Sequence, residues 1–194
     1  GGNTATFSAA QSGIIGVGDK IIYNDGTEYT AYIKGRTSPT VYQVQTATGA
    51  AAANATDATV TSITRAFNSI VAAANGSDDS GYLNTYDLVT GNYQLNWPCY
   101  NDGSDNSHFN SATGMTVPYH ATRANIVKMY TPVLSSEVGA SQRHTGKAGT
   151  GYSWAPVDSD ATSFTLIPLL SSLWMEGIDI DLIGITGRTT LIVF

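Results

Sequence analysis

The side chains best suited to hold a metal ion are two aspartates in a short, turn-like segment. Asp102 and Asp105 are separated by Gly103-Ser104 and followed by Asn106, which gathers hard oxygen ligands of the kind that Ca²⁺ prefers. The spacing of an EF-hand loop is absent. Turn chemistry explains the same residues, because Asp and Asn side chains bond back to their own backbone. The sequence therefore offers Asp102 and Asp105 as a Ca²⁺ candidate beside the simpler prediction of an ordinary turn.

Motifs for catalysis and for cofactor binding are not found in the sequence. It has no G-x-S-x-G nucleophile elbow. Gly16-Val17-Gly18 lacks the third glycine of a dinucleotide fingerprint, and the glycine-rich segment 146–151 lacks the Walker order. The three histidines, His108, His120 and His144, are far apart and show no metal-ligand spacing. We therefore predict a protein that is not an enzyme, with no catalytic residue and no cofactor.

Two further kinds of side chain could carry or bind glycans. Asn54-Ala55-Thr56 and Asn75-Gly76-Ser77 match the N-glycosylation pattern, which makes Asn54 and Asn75 candidates for modification. Aromatic rings can stack on sugars, although they more often cover a core. The sequence leaves both interpretations open for these rings: Tyr82, Tyr86, Tyr93, Trp97, Tyr100, Trp154 and Trp174.

Composition argues against several classes of partner and favours an exported protein. The 194 residues include only 12% charged residues, the net charge is −6, and the nine Lys and Arg residues form no cluster, so nucleic acid is not an expected partner. No apolar run reaches the roughly 18 residues of a membrane span. Few charges, 20 glycines and 11 tyrosines are typical of a β-rich surface wetted by hydroxyls and amides. Together with a start at Gly1 rather than Met, they predict a mature protein located outside the cell or on a cell or virion surface.

A single cysteine, Cys99, excludes a disulfide within this chain. A lone thiol in an exported protein is most often a small buried hydrophobic residue. Pairing with a cysteine of another molecule is the alternative.

The first fifty residues read as an antiparallel β meander. Short β-prone runs with period-two alternation are separated by turn signals. One of these is Asn24-Asp25-Gly26, whose residues tolerate the positive φ of a tight hairpin. The runs are Thr4–Phe7, Lys20–Tyr23, Tyr29–Ile33 and Val41–Val44.

One amphipathic helix is predicted over residues 58–75. Val60, Ile63, Phe67, Ile70 and Val71 recur at steps of three and four residues, which places them on one face of a helix. Asp57 or Thr59 could cap its start, and Asn75-Gly76 could form a left-handed cap at its end.

Beyond residue 125 the chain shows short alternating runs with turns between them and no helix. Ile126–Tyr130, Phe164–Ile167, Ile178–Leu182 and Thr189–Phe194 predict stacked short strands, either coils of a parallel β-helix or a stacked sheet. The predicted fold class is therefore mainly β. Its expected segments are a meander at 1–50, a helix and turn-rich region at 51–125 that packs on it, and β-helix-like strands at 126–194, which could together form one continuous domain.

A series of short motifs runs through most of the chain, at 15–19, 31–38, 42–44, 48–49, 62–67, 87–89, 93–103, 129–132, 136–139, 142–147 and the rung-like 174–180. In this order the motifs resemble the N-terminal region of exported proteins known mainly from environmental bacteria and phages. In that largely uncharacterised family the region leads into a right-handed parallel β-helix like that of pectate lyases. The resemblance covers about residues 6–182. It implies an architecture and an exported location, and it transfers no catalytic residue.

The sequence predicts a structural subunit that assembles with copies of itself into a head-to-tail homopolymer, an extracellular filament or surface array. Two apolar or hydroxyl-rich runs lack the Lys, Pro or bulge that usually protects a strand edge. The alternative is a carbohydrate-binding or polysaccharide-active β-helix module, such as a phage or bacterial surface adhesin, with glycans as partner. The residues of the expected assembly edges are Leu191, Ile192, Val193, Phe194, Thr4, Thr6 and Phe7.

Overall fold

The structure is a computed structural model that describes residues 3–107, 119–147, 149–156 and 172–181. In these residues the chain is mainly β, as the sequence predicts, and one short helix is present. Two compact units are formed. One contains residues 1–66 and 132–142, and the other contains residues 67–131 and 143–194. The boundary near residue 66 differs from the segments expected from the sequence, which divided the chain at residues 50 and 125.

The first unit is built on a five-stranded antiparallel sheet with the strand order β1-β4-β3-β2-β5. The central three strands form the predicted meander. At the turn between β2 and β3, Gly26 has a φ of 112° and its amide donates to Asn24 Oδ1 over 2.7 Å. The strands are β1 (Thr4–Thr6), β2 (Asp19–Asn24), β3 (Glu28–Ser38), β4 (Val41–Gln45) and β5 (Thr59–Arg65).

Alternation along the central strands forms the core of this unit. Ile21, Ile33, Tyr42 and Val44 are buried, because successive strand residues point to opposite faces of a sheet. Phe7 packs edge-on against the Tyr42 ring, with 5.6 Å between ring centroids. β3 is longer than its predicted run. It continues to Ser38 with two register shifts against β4.

The predicted helix over residues 58–75 is wrong in its first half, because residues Thr59–Arg65 form strand β5. β5 pairs antiparallel with β2, and Ile63 packs against the core of the first unit. The step of three residues from Val60 to Ile63 fits a helix face, but in the strand Val60 is 39% exposed and Ile63 packs on the core. Thr, Val and Ile dominate this stretch and favour a strand, since branching at Cβ restricts their rotamers in a helix. Asp57 has a φ of 53° and lies outside any helix.

The helix itself, α1, spans only Ile70–Gly76 and has different caps from those predicted. Ser69 is the N-cap, and its hydroxyl accepts from the Ala72 amide over 3.0 Å. The chain leaves the helix at Ser77 with a right-handed φ of −67°, so the expected left-handed cap at Asn75-Gly76 is also wrong. Of the apolar side chains predicted to be buried on one helix face, Ile70 is buried, whereas Phe67 and Val71 are half-buried.

Two three-stranded parallel sheets form the framework of the second unit. One has the order β10-β8-β6 and the other β11-β9-β7, so consecutive strand pairs β6/β7, β8/β9 and β10/β11 stack in register. These are the short stacked strands expected from the sequence, which begin earlier than residue 126. The strands are β6 (Leu95–Pro98), β7 (Ser104–Asp105), β8 (Val127–Tyr130), β9 (Ser153–Trp154), β10 (Leu173–Glu176) and β11 (Asp179–Ile180).

The core of the second unit lies between helix α1 and the inward-facing side chains of the stacked strands. Leu95, Val127 and Leu173 stack on equivalent positions, as do Trp97, Met129 and Met175, and Val127, Met129 and Trp154 are fully enclosed. Hydrogen bonds link helix α1 and its C-cap to the first strand of each sheet. The Trp97 indole donates to Ser77 Oγ over 3.0 Å, and the Ile70 amide donates to Asp105 Oδ2 over 2.7 Å.

No helix among the described residues is long and apolar enough to cross a membrane.

Two of the predicted strands lie outside the described residues. They are Phe164–Ile167 and the terminal run Thr189–Phe194, which contains the proposed edge residues Leu191, Ile192, Val193 and Phe194.

Candidate functional site

Strand β1 carries Thr4 and Thr6, two of the residues expected at an assembly edge, and it lies at one end of the five-stranded sheet. Thr4 and Thr6 are exposed, and Ala5 between them packs toward the core. The strand pairs with β4 through Thr4–Gln43, Ala5–Tyr42 and Thr6–Val41. Phe7 then continues the pairing, because its amide donates to Thr40 O over 2.8 Å. In the described chain, no strand lies on the other side of β1 in the sheet.

Strand β5 forms the opposite end of the same sheet, and the sequence did not reveal it. Seven residues long, it contains no charged residue before Arg65. Val60 is 39% exposed, a large value for a valine in a strand. Natural edge strands are usually protected by charges, Pro or a covering element. Residues 59–65 are mostly β-branched and favour a strand, and this is the signal that could have identified the edge from the sequence.

A buried ion pair fixes the end of β5. Arg65 Nη1 lies 2.6 Å from Asp19 Oδ1, and the Asp19 side chain is 1% exposed. The second carboxylate oxygen of Asp19 accepts from the Gly16 amide over 2.9 Å, and Arg65 Nη1 also donates to Ile14 O over 3.2 Å. Because both charges have hydrogen-bonding partners, the pair holds β5 against β2 without leaving an uncompensated ion in the interior.

The two edges of the sheet have the same strand direction. Four antiparallel pairings separate β1 from β5 in the strand order, and each one reverses the direction. A second molecule placed beside the first without rotation would therefore bring its β1 parallel to β5. The pairing between two molecules related by translation would then be a parallel ladder.

The outer face of the β6-β8-β10 sheet carries a second group of accessible side chains. Asn96, Lys128 and Trp174 occupy equivalent positions on the three strands. Trp174 is 57% exposed. Two residues further along β8 and β10, Tyr130 and Glu176 pair on the same face. The sequence predicted alternation at 126–130, but not the neighbours of Lys128 and Tyr130 on this face.

Charged side chains on this face hold one another in place. Arg143 Nη2 lies 2.6 Å from Glu176 Oε1, and Lys128 Nζ lies 3.4 Å from Glu176 Oε2. The Lys128 ammonium is also 4.5 Å from the centroid of the Tyr130 ring, a cation–π distance. The hydrogen bond from Arg143, followed by the charge of Lys128, lowers the pKa of Glu176, so this residue is a carboxylate at neutral pH.

The two aspartates offered as a Ca²⁺ candidate have different surroundings. Asp102 is exposed. The Asp105 carboxylate accepts hydrogen bonds from the Ile70 amide, from the Tyr152 hydroxyl over 3.0 Å and from the Ser107 amide over 2.9 Å. These bonds give Asp105 a structural role at the start of α1. Within the described ranges, no three acidic, histidine or cysteine side chains are grouped as metal ligands would be.

The remaining reactive side chains make local contacts. His120 Nδ1 lies 3.0 Å from Asp87 Oδ1, and the Gly146 amide donates to His144 Nδ1 over 3.2 Å. His108 lies outside the described residues. Cys99 is buried, which confirms the prediction of a small hydrophobic role. Burial, with the Asp105 charge as the second cause, raises the pKa of its thiol to about 12.

The candidate glycan positions differ in accessibility. Asn54 is exposed, whereas Asn75 is half-buried in α1. The Ser77 hydroxyl of the second motif is buried and donates to Ala73 O over 2.6 Å. Among the candidate stacking rings, Trp97, Tyr100 and Trp154 belong to the core, Tyr82 and Tyr93 are half-buried, and Tyr86 and Trp174 are exposed.

Comparison with known proteins gives no match to a family model, a curated protein or a solved structure. The resemblance to exported β-helix proteins therefore stays a prediction from the sequence. Functional inference depends on the sheet edges and on the outer face described above.

Proposed function

We propose that the chain is a non-enzymatic structural subunit that associates with copies of itself into an extracellular filament or surface array. One observation carries the proposal. The five-stranded sheet ends in β1 on one side and β5 on the other, and both edges are uncharged from Thr4 to Thr6 and from Thr59 to Thr64.

In this proposal β1 of one molecule adds to β5 of the next. Backbone hydrogen bonds give affinity in such strand addition, and side chains on alternate positions give specificity. Ala5 and Phe7 face the core on the β1 side, and Ile63 faces it on the β5 side. The joined sheet would thus continue one apolar face. The contact joins two different edges, so it is heterologous, and without rotation between molecules it extends into a filament.

We also propose that the second unit starts a parallel β-helix. Three consecutive strand pairs in register support this architecture. Helix α1, which is hydrogen-bonded to β6 and β7 residues, would cover the first coil.

Location outside the cell or on a cell or virion surface is proposed from composition, chiefly the low share of charged residues, 12%.

The β5 edge can be tested by adding a charge to it. Val60→Lys places an ammonium on an exposed position of β5, and edge lysines are a common natural protection against strand addition. We expect the wild-type protein to form fibres in negative-stain microscopy and the Val60→Lys variant to remain monomeric in light scattering.

Leu134→Lys is the matched control. Leu134 is 58% exposed in the same unit and lies outside the strands of the sheet, so the same added charge should leave assembly intact. A wild-type protein that stays monomeric at high concentration would contradict the proposal. A closed dimer without fibres would contradict the head-to-tail arrangement.

A further inference from the structure

Trp174 differs from the other two tryptophans of the chain in its exposure. Trp97 and Trp154 are 6% and 0% exposed and fill the core, whereas Trp174 is 57% exposed on strand β10. An indole exposed to water lacks the large favourable hydrophobic free energy that burial of its ring would bring. Trp174 pairs in parallel register with Lys128, and its ring points away from the core. Its strand neighbours Leu173 and Met175 pack against the core.

The surroundings of Trp174 are polar rather than apolar. Lys128 and Asn96 continue its row across the sheet, and the Arg143–Glu176–Lys128 ion network lies beside it. A stable protein interface buries about 800 Å² on each partner, with an apolar core at its centre. The single ring with hydrogen-bonding neighbours does not provide such a patch. The net charge of −6 disfavours nucleic acid.

We propose that this face binds pyranose units of a polysaccharide, with Trp174 as the stacking platform. One side of a pyranose ring carries C–H groups that fit the negative face of an indole. Its hydroxyls both donate and accept hydrogen bonds. Lys128 and Arg143 supply donors, and Glu176 supplies acceptors. The mutual ion pairs fix these groups before a ligand arrives, which reduces the entropy lost on binding.

Tyr130 acts as a positioning residue beside the stacking ring. The Trp174 and Tyr130 positions are diagonal neighbours on adjacent strands, roughly 8 Å apart for a strand spacing of about 4.8 Å and a rise of about 3.3 Å per residue. Because the Lys128 ammonium lies 4.5 Å from the centroid of the Tyr130 ring, this ring holds the cation and is not a second stacking platform. The face therefore presents one stacking ring with a polar frame beside it.

The test uses immobilised neutral and uronic-acid polysaccharides with the Val60→Lys protein as background, so that assembly is not required for a result. We expect at least one polysaccharide to retain this protein. Trp174→Ala should weaken retention about tenfold, the effect of roughly 1.4 kcal/mol. Tyr86→Ala, at an aromatic position 53% exposed elsewhere in the unit, is the matched control and should bind as before.

Fluorescence gives an independent readout of the same site. Iodide should quench mainly Trp174, because the other two indoles are buried, and the hexasaccharide of a retained polysaccharide should protect it. Trp174→Phe should remove the quenchable emission and keep part of the affinity. The proposal is overturned if no polysaccharide retains the parent protein better than Trp174→Ala, or if Tyr86→Ala weakens retention equally. Unchanged thermal melting of each variant shows that folding is intact.

Discussion

Two side chains show how local environment sets reactivity in this protein. Cys99 is enclosed, and its thiol donates to Trp97 O over 3.4 Å. Asp87, in contrast, lies at the surface beside His120, where its carboxylate accepts from the Val89 and Thr90 amides, each over 3.0 Å. Burial disfavours the charged form of the thiol, whereas donated hydrogen bonds favour the charged form of the carboxylate.

Cys99 should be inert in the folded protein. Because its pKa is raised to about 12, the thiol is protonated at pH 8, and the thiolate is the reactive form. Iodoacetamide at pH 8 should leave the native protein unmodified by mass spectrometry and should alkylate it fully in denaturant. Alkylation of the native protein at the rate of the denatured one would contradict this burial, and so would a disulfide-linked dimer in native preparations.

Asp87 should titrate far below the usual carboxyl range. The Thr90 amide, followed by the Thr90 hydroxyl, lowers its pKa from 3.8 to about 2. A lowered folded-state pKa contributes stability that is complete above the unfolded value near 4 and is lost as the pH falls through about 2. Carboxyl ¹³C shifts should give a midpoint of about 2. Thr90→Val, which removes one donor, should move the midpoint upward. A wild-type midpoint near 4 would refute the assignment.

At the scale of elements, strand β5 depends on its ion pair as well as on backbone pairing. Asp19→Asn removes a charge that is 1% exposed and leaves Arg65 without its carboxylate partner. Loss of one partner of a buried pair should lower the free energy of unfolding by about 3 kcal/mol. Urea unfolding measures the loss. Asp25→Asn, at an exposed turn, is the control and should change stability by less than about 0.5 kcal/mol.

Helix α1 is short and depends on its cap. Ser69→Ala removes the hydroxyl that accepts from Ala72 N, and should cost about 1 kcal/mol in urea unfolding. Ser80→Ala, at an exposed position beyond the helix, should have no comparable effect. Equal stability of the two variants would mean that the packing of Ile70 and Ala74, rather than the cap, defines the start of the helix.

At the scale of the whole molecule, the candidates for the assembly strand are β5 and the terminal run 189–194 predicted from the sequence. Val60→Lys blocks strand addition at β5, and deletion of residues 189–194 removes the terminal run. We expect the deletion to leave fibres detectable by microscopy, because β1 and β5 remain. Loss of all fibres on deletion, with Val60→Lys still assembling, would assign the contact to Leu191–Phe194 instead.

The mainly β class and the central meander follow from the sequence. Alternation in 41–44 and 126–130 also fixes which side chains point inward, because the strand period of two is a local property. Turn chemistry at Asn24-Asp25-Gly26 is likewise local. The absence of charges near Thr4–Phe7 marked an edge-prone run before any fold was known.

The state of residues 59–65 and the identity of the second edge depend on tertiary contacts. The spacing of Val60, Ile63 and Phe67 fits a helix, the β-branched residues of 59–65 favour a strand, and pairing with β2 resolves the choice. Likewise, the three tryptophans look equivalent in sequence, yet long-range parallel pairing leaves Trp174 in water and encloses the other two. Strand order and register depend on contacts between residues far apart in the chain, which local periodicity does not encode.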